Sequence, residues 1–460
     1  MGKKVGVSSL LAVVGAILLG SIFSVIMPPM KSFDEADHLR RAYFLTRGKI
    51  FLHNNNCDTE GVLCRNGETM SGGKVDSGFN EYLVMRHEIV GHFERESLEK
   101  QRMASQIRWS GKRVFHEAPG TGYYFPLIYT PQAIGLAIGR ALDLTIENSY
   151  YLSRFFVLAF SVAALTLAFS MVRPMPSVLA ILVLPVSLFQ AASASIDAFS
   201  ISLTVLSVAI FIRCMRERTG RMAFFVMCIS IFLVVTSRVH QIAMLAMPFV
   251  IAWGSKDRKV WGAALCTALA SAIWLAVAIP SVVDFRVVRA ESTADIALFY
   301  ISNMGALVKV FANTVAADGF LVNTGKQFVG HTYGLLFPWS FYSLMLWLVL
   351  VIGILGARFG TKNVFSISRS VLFAIGVLSV PLAMLAMLLT FTVHPAQVIN
   401  GIQGRYFVAP MIIVAYAVCD WERIGGVRGY LQWACFGVVL FSSVLMSVWY
   451  MVNSFYTPLS

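Results

Sequence analysis

A cluster of ionisable residues follows directly after the first apolar run of the chain. Between Asp34 and Arg41 the sequence places three carboxylates, a histidine and two arginines. A carboxylate held near cations stays ionised at neutral pH and can serve as a general base. We interpret this segment as a candidate active site. The alternative is a solvated helix start, in which Asp34 caps the helix and the acids favour the positive end of its dipole.

Four cations lie at the ends of apolar runs, close to one predicted membrane boundary: Arg154, Arg238, His240 and Arg405. A charge at such a depth is costly and usually needs an anionic partner, either a carboxylate or a lipid phosphate. Arg405, in a Gly-Arg-Tyr-Phe motif at residues 404–407, is the clearest case. Its alternative role is snorkelling to lipid headgroups.

Two further patterns lie near the same boundary. Asp197 ends a short Ser-Ala-Ser-Ile-Asp segment between two apolar runs, where capping of the following helix is its alternative role. Tyrosines and prolines alternate between Gly120 and Gln132, which predicts a kinked segment whose rings anchor at the membrane interface. Neither pattern specifies a function by itself.

Cys57 and Cys64 bracket six residues of the first long loop. In an oxidising compartment a disulfide between them is the natural inference, and no metal-binding pattern accompanies the pair. The other five cysteines lie in or beside apolar runs, where they are expected to act as small core residues.

The composition indicates the elements that must position these residues. Of 460 residues, 57% are hydrophobic and 13% charged, and the mean hydropathy is +0.71. These values exclude an ordinary cytosolic protein and predict an all-α integral membrane protein. Eleven apolar runs are predicted to cross the membrane: 6–26, 150–172, 176–192, 198–213, 222–236, 239–253, 260–280, 333–357, 371–392, 406–419 and 431–451.

The distribution of charge orients these runs. The net charge is +13, yet residues 28–149 hold as many acids as bases, and the excess of Lys and Arg lies in short connectors. This is the positive-inside pattern of cytoplasmic loops, so the charge reports topology and not a nucleic-acid partner. The pattern requires that the moderately apolar stretch 125–143 does not cross. The N-terminus is then predicted inside, and the long loops 28–149 and 281–332 outside.

The expected organisation is a single domain over residues 1–460. It comprises a first helix (1–27), a large outer loop with interfacial helices (28–149), six spans (150–280), a second outer loop (281–332) and four final spans (333–460). No Walker loop, H-E-x-x-H, G-x-S-x-G or dinucleotide-binding fingerprint is present, so soluble nucleotide chemistry has no candidate site.

The motifs resemble, in order, those of a large bacterial family of polytopic membrane proteins long described as a domain of unknown function. That family in turn resembles the GT-C superfamily of membrane glycosyltransferases. The matching motifs are Pro-Pro followed by Asp34-Glu35 and His38, the Tyr-Pro-Gln run 124–132, the Gly-Arg pair 139–140, Ser195-Ile-Asp197 and the motif at 404–407. Two departures are Phe33 and Ala36, where relatives usually carry proline. A third is Arg238, where many have lysine.

The resemblance implies a transferase that takes a sugar from a polyprenyl-phosphate donor to a glycan or glycolipid acceptor of the cell envelope, such as O-antigen or lipopolysaccharide. The reaction would occur at the periplasmic face of the bacterial inner membrane with inversion at the anomeric carbon, and the protein would also contact membrane lipids. It leaves open whether a divalent cation is bound, and the sequence sets no oligomeric state.

The resemblance also assigns candidate roles. The general base would be Asp34, with Glu35 as the fallback. The donor phosphate would be bound by Arg405, Arg238, Arg40 and Tyr406. Substrate would be contacted by His38, Arg41, Asp197, His240, Tyr124, Tyr129, Gln132 and Arg154.

Two alternatives remain open. A polysaccharide polymerase or ligase would use the same outer face with a diphosphate-linked donor. A transporter or flippase for a lipid-linked sugar would place ionisable groups near the membrane midplane, whereas the fourth to eleventh runs carry almost no interior charge.

Overall fold

The computed structural model describes residues 7–52, 64–65, 68–87, 98–217, 220–255, 257–287, 291–331, 336–357, 367–419 and 426–456. Its α-helices are α1 (Val7–Ile26), α2 (Glu35–Thr46), α3 (Ser77–His87), α4 (Leu98–Gln106), α5 (Thr130–Ala141), α6 (Ile146–Met171), α7 (Pro176–Leu182), α8 (Pro185–Ala191), α9 (Asp197–Arg216), α10 (Arg221–Val235), α11 (Ala246–Gly254), α12 (Arg258–Ala278), α13 (Thr293–Ser302), α14 (Met304–Ala316), α15 (Phe320–Val329), α16 (Trp339–Gly356), α17 (Ile367–Phe391), α18 (Val408–Val418) and α19 (Gly426–Phe455).

Short 3₁₀ helices cover Pro119–Thr121, Pro126–Tyr129, Val239–Leu245 and Gly404–Phe407. Two small antiparallel hairpins pair β1 (Cys64–Arg65) with β2 (Glu68–Thr69), and β3 (Gly72–Asp76) with β4 (Arg113–Glu117). In the second hairpin Gly72 lies opposite Glu117. The prediction of an all-α polytopic membrane protein is therefore confirmed.

Seven of the eleven predicted spans form full-length helices. In the described part of the chain, seven helices are long and apolar enough to cross a membrane: α1, α6, α9, α12, α16, α17 and α19. The four other runs form shorter pieces. Residues 176–192 split into α7 and α8, while α10 and α18 span 15 and 11 residues. Residues 239–253 divide between a 3₁₀ helix and α11.

The loop predicted at 281–332 is also more structured than expected. It contains α13 and α14, which would qualify together as one span but are bent by 102° at their junction, and then α15. Their apolar side chains Leu298, Ile301 and Val308 are exposed on the protein, as expected for helices that meet lipid.

The stretch 125–143 does not form a span. Its helix α5 has 12 residues and is therefore about 18 Å long, too short for a hydrocarbon core of about 30 Å. It packs closely against α6: a Cβ on Gly135 would lie 2.4 Å from the Ser153 nitrogen, and one on Gly139 would lie 2.2 Å from Ser149 Oγ. This contact joins the first loop to the helical bundle beside the predicted site.

Candidate functional site

Two acids and two arginines form one chain of ion pairs. The Arg405 guanidinium contacts Asp34 through Nη2 and donates to Asp197 Oδ2 through Nη1 at 3.3 Å. Arg238 contacts the other oxygen of Asp197. The order Asp34, Arg405, Asp197, Arg238 alternates in sign, so the four formal charges sum to zero. We call these four residues the ion-pair chain.

Each member of the ion-pair chain lies where a helix begins or ends. Asp34 directly precedes α2 and Asp197 is the first residue of α9. Arg238 lies between α10 and the 3₁₀ helix Val239–Leu245, and Arg405 lies in the 3₁₀ helix before α18. Four segments distant in sequence therefore meet at one point.

Asp34 is the accessible member of the chain. Its side chain is 55% exposed, whereas that of Arg405 is 5% exposed. Burial raises the pKa of Asp34, but Arg405 and His38 lower it by more, so the pKa lies below its usual value and the carboxyl is ionised at neutral pH. The backbone of Asp34 is left-handed, with φ of 55°, a conformation uncommon outside glycine.

The helix-capping alternatives are wrong for both acids. The Asp34 side chain makes no capping hydrogen bond to α2. Asp197 lies inside the first turn of α9 and not at its cap, and its carboxylate contacts Arg238 and Arg405. The geometry thus directs both carboxylates toward guanidinium groups.

Glu35 lies in a different environment from its neighbour. Its carboxylate is buried and accepts hydrogen bonds from the Tyr150 hydroxyl at 2.8 Å and the Ala194 N–H at 2.7 Å. Arg154 Nε lies 3.5 Å away. The Arg154 guanidinium also donates to three backbone carbonyls near the end of α1, those of Ser24, Met27 and Pro28. These two predicted site residues therefore hold α1, α2 and α6 together.

Tyrosine and histidine side chains connect the first loop to the ion-pair chain. The Tyr124 hydroxyl accepts a hydrogen bond from Arg238 at 3.1 Å, and its ring stacks on His38 with centroids 6.2 Å apart. His38 Nδ1 lies 2.8 Å from the buried Tyr129 hydroxyl. Burial, reinforced by the charge of Arg238, lowers the pKa of His38 to about 4, so this imidazole is neutral at pH 7.

Three other predicted residues do not join the ion-pair chain. Arg40 pairs with Asp37 at 2.9 Å. Arg41 donates to the backbone carbonyls of Ile50 and Tyr124. Gln132 donates to the carbonyls of residues 194 and 195 and so supports the segment before Asp197.

A cavity of about 120 Å³ borders Arg238. Tyr123, Tyr124, His240 and Tyr406 form its polar side, with the His240 and Tyr406 rings 6.0 Å apart. The cavity shares Ile279, Val282, Asp284 and Thr293 with a wider groove of about 820 Å³ along α12 and α13. A recess of about 20 Å³ between Asp197, Arg238 and Arg405 also borders Tyr406.

Sequence reasoning missed two residues of this cavity, Asp284 and Thr293. Asp284 and Thr293 belong to the loop predicted at 281–332, and no motif surrounds them. The only available signal was an isolated carboxylate just after an apolar run, between Val283 and Phe285. Its side chain is fixed by Arg286, whose Nη2 donates to Asp284 at 2.7 Å.

The described residues contain no group of three or more His, Cys, Asp or Glu side chains that could hold a metal ion. Both carboxylates of the ion-pair chain already contact guanidiniums, which do not coordinate cations. The arrangement thus does not fit a metal centre. The predicted pairing of Cys57 with Cys64 falls outside the residues whose side chains are described.

Residues 17–414 match the model of a family described as predicted membrane proteins, DUF2142. The chain belongs to this family. Membership confirms a polytopic membrane protein of that type, and the glycosyltransferase superfamily stays a prediction, since the family description names no reaction. No curated protein matches the chain.

Proposed function

We propose that this DUF2142 protein is a membrane glycosyltransferase that moves a sugar from a polyprenyl-phosphate donor to a glycan or glycolipid acceptor of the cell envelope. The reaction would occur at the periplasmic face of the bacterial inner membrane. The observation that carries the proposal is the ion-pair chain, in which an accessible carboxylate shares a buried guanidinium with a second acid. Such a transfer requires a base that deprotonates the acceptor and a cation that stabilises the leaving phosphate.

Asp34 is the general base in this mechanism. It removes the proton of the acceptor hydroxyl while that oxygen forms a bond to the anomeric carbon. The bond from this carbon to the phosphate oxygen breaks, the phosphate leaves with the electron pair, and the configuration inverts. Glu35 is unsuited to this role because its carboxylate is buried and already accepts hydrogen bonds from Tyr150 and Ala194.

Arg405 and Arg238 stabilise the negative charge of the phosphate. Because the ion-pair chain is neutral, an arriving phosphate must compete with a carboxylate for a guanidinium. Asp34 is the carboxylate that can yield, since it is exposed and contacts one arginine, whereas the buried Asp197 contacts both. Donor binding at Arg405 would then free Asp34 and raise its pKa, because Arg405 is the main group that lowers that pKa.

The groove beside the cavity suits the lipid part of the donor. Leu275 of α12, Ile279 directly after that helix and Ala297 of α13 line it. The groove continues into the cavity at Arg238. A hydrocarbon chain in this groove would lie against apolar surface while its phosphate reaches the arginines. Such a substrate must approach sideways from the bilayer, and these helices carry exposed apolar residues such as Leu269 and Leu298.

The test uses purified protein with a panel of synthetic polyprenyl-phosphate sugars and lipid-linked or lipopolysaccharide acceptors. Asp34→Asn should reduce transfer at least 100-fold, since general bases contribute about 10²- to 10⁴-fold. The matched control is Asp37→Asn, which changes an acid paired with Arg40 outside the ion-pair chain, and it should retain activity within a few-fold. Full transfer by Asp34→Asn would remove Asp34 from the base role. Absence of transfer by the wild type with every pair would refute the function.

One observation favours a second candidate, a polymerase or ligase with a diphosphate-linked donor. Arg238 and Arg405 lie on opposite oxygens of Asp197, so each could bind one phosphate of a diphosphate. The same panel distinguishes the two reactions when each sugar is supplied on both a monophosphate and a diphosphate lipid. Transfer from the diphosphate lipid alone would favour the polymerase or ligase.

A further inference from the structure

Helix α15 touches the turn that carries Arg405 with no side chain between them. A Cβ on Gly404 would lie 2.3 Å from the Thr324 carbonyl oxygen and 2.3 Å from the Phe328 nitrogen. Both are backbone atoms of α15, which cannot yield as a flexible side chain could. The Gly404 N–H also donates to Gln327 Oε1 at 2.8 Å. The position of this turn is therefore set by α15.

Helix α14 holds the segment that leads to the same turn. Residues 393–403 form no helix, so their backbone groups need partners elsewhere. The buried Thr314 hydroxyl accepts the Ile399 N–H at 2.9 Å, and Asn313 Nδ2 donates to the Gln397 carbonyl at 3.3 Å. Together with Gln327, these side chains attach residues 397–404 to α14 and α15 at three points.

The C-terminal end of α15 also abuts the segment that leads to Asp197. A Cβ on Gly330, just after α15, would lie 2.5 Å from the Pro185 side chain at the start of α8. After α8 the chain runs through residues 192–196 to Asp197. One helix thus contacts both chain segments whose charged residues meet in the ion-pair chain.

We propose that α14 and α15 form a clamp that positions Arg405 against Asp34 and Asp197, with Gln327 and Thr314 as its positioning residues. The 3₁₀ helix that bears Arg405 has only four residues and cannot fix its own orientation. A displacement of about 1 Å is enough to loosen a preorganised site. This inference does not depend on the proposed reaction, because it concerns the arginine and its two carboxylates.

The test follows the protonation of Asp34 in the purified full-length protein without any substrate. A carbodiimide and an amine label a carboxyl group in its protonated form, and mass spectrometry of the Asp34 peptide at a series of pH values gives the midpoint. Gln327→Leu removes the acceptor for the Gly404 N–H. The displaced Arg405 should then lower the Asp34 pKa less, and the midpoint should rise by about one pH unit.

Two variants serve as controls for Gln327→Leu. Gln327→Glu keeps an acceptor oxygen at the same reach and should restore most of the wild-type midpoint. Asn323→Leu makes the same kind of change at an exposed position of α15 and should leave the midpoint unchanged. A general loosening of the fold would instead alter labelling in all three variants.

A wild-type midpoint in Gln327→Leu would overturn the proposal, as would an equal shift in Gln327→Glu. If Gln327→Leu does not yield folded protein, Thr314→Val decides, since it removes the acceptor for the Ile399 N–H with little change in volume. Thr314→Val should raise the midpoint by a smaller amount, and an unchanged midpoint in that variant would contradict the clamp. Failure of the transferase assay would leave these outcomes unaffected.

Discussion

Replacing Glu35 with glutamine should destabilise the protein without abolishing the proposed sugar transfer. Glu35 and Arg154 form a buried pair whose side chains are 0% and 1% exposed. Removing one partner of a buried pair costs about 3 to 5 kcal/mol. The substituted glutamine could still accept hydrogen bonds from Tyr150 and Ala194, and Arg154 would keep its three carbonyl partners, so the expected loss is about 2 to 3 kcal/mol.

The measurement is thermal unfolding in detergent, followed by the rise in signal of a thiol-reactive dye as the buried Cys228 and Cys419 become exposed. A loss of about 2 to 3 kcal/mol should lower the midpoint by about 2 to 3 °C in a chain of 460 residues. Glu147→Gln is the matched control, because Glu147 pairs with Arg86 at 2.7 Å but is 16% exposed. It should lower the midpoint by less than half as much.

The result that would refute this reasoning is a Glu35→Gln protein as stable as the wild type but unable to transfer sugar. Glu35 would then take part in the reaction, and the assignment of the base to Asp34 would fail. Stability and transfer measured on the same preparations separate the two roles, since Asp34→Asn should show the opposite pattern.

Two further predictions concern groups around the ion-pair chain. His38 has a folded-state pKa of about 4, below the usual 6.5, so on acidification the unfolded state binds the proton first. The free energy of unfolding should be unaffected above pH 6.5 and should fall by about 2 kcal/mol between pH 6.5 and 5. The unfolding temperature of the wild type should therefore fall more between pH 7 and pH 5 than that of His38→Gln. Equal decreases in the two proteins would contradict the expectation. Arg405→Lys keeps the charge but cannot reach two carboxylates from one planar group, so kcat/KM for sugar transfer should fall about 10- to 100-fold, whereas Arg40→Lys should change it little.

The sequence was informative about which residues need a partner, because charge beside a membrane needs a counter-charge. That argument gave Arg405 an anionic partner without naming it, and the structure supplies Asp34, which lies 371 positions away in the chain. It could not distinguish Asp34 from Glu35. Adjacent acids share the same local signal, and only the tertiary contacts with Tyr150 and Arg154 make Glu35 a buried structural group.

The clamp formed by α14 and α15, and the cavity residues Asp284 and Thr293, could not be predicted from the sequence for a related reason. Hydropathy averaged along a segment does not record bends, so residues 281–332 read as a loop even though α13 and α14 turn through 102°. Gln327 and Thr314 then act through single hydrogen bonds to backbone N–H groups. A contact of this kind has no pattern in the sequence of one chain.

The candidate site lies where apolar runs form short or broken helices. Asp197 follows α8, Arg238 lies between α10 and the next 3₁₀ helix, and Arg405 precedes the short α18. A helix that ends before it crosses the membrane brings polar residues at its terminus below the surface, where charges persist only when paired. The short helices and the ion-pair chain therefore occur at the same place in the fold. Such departures from regular local structure are expected at a functional site.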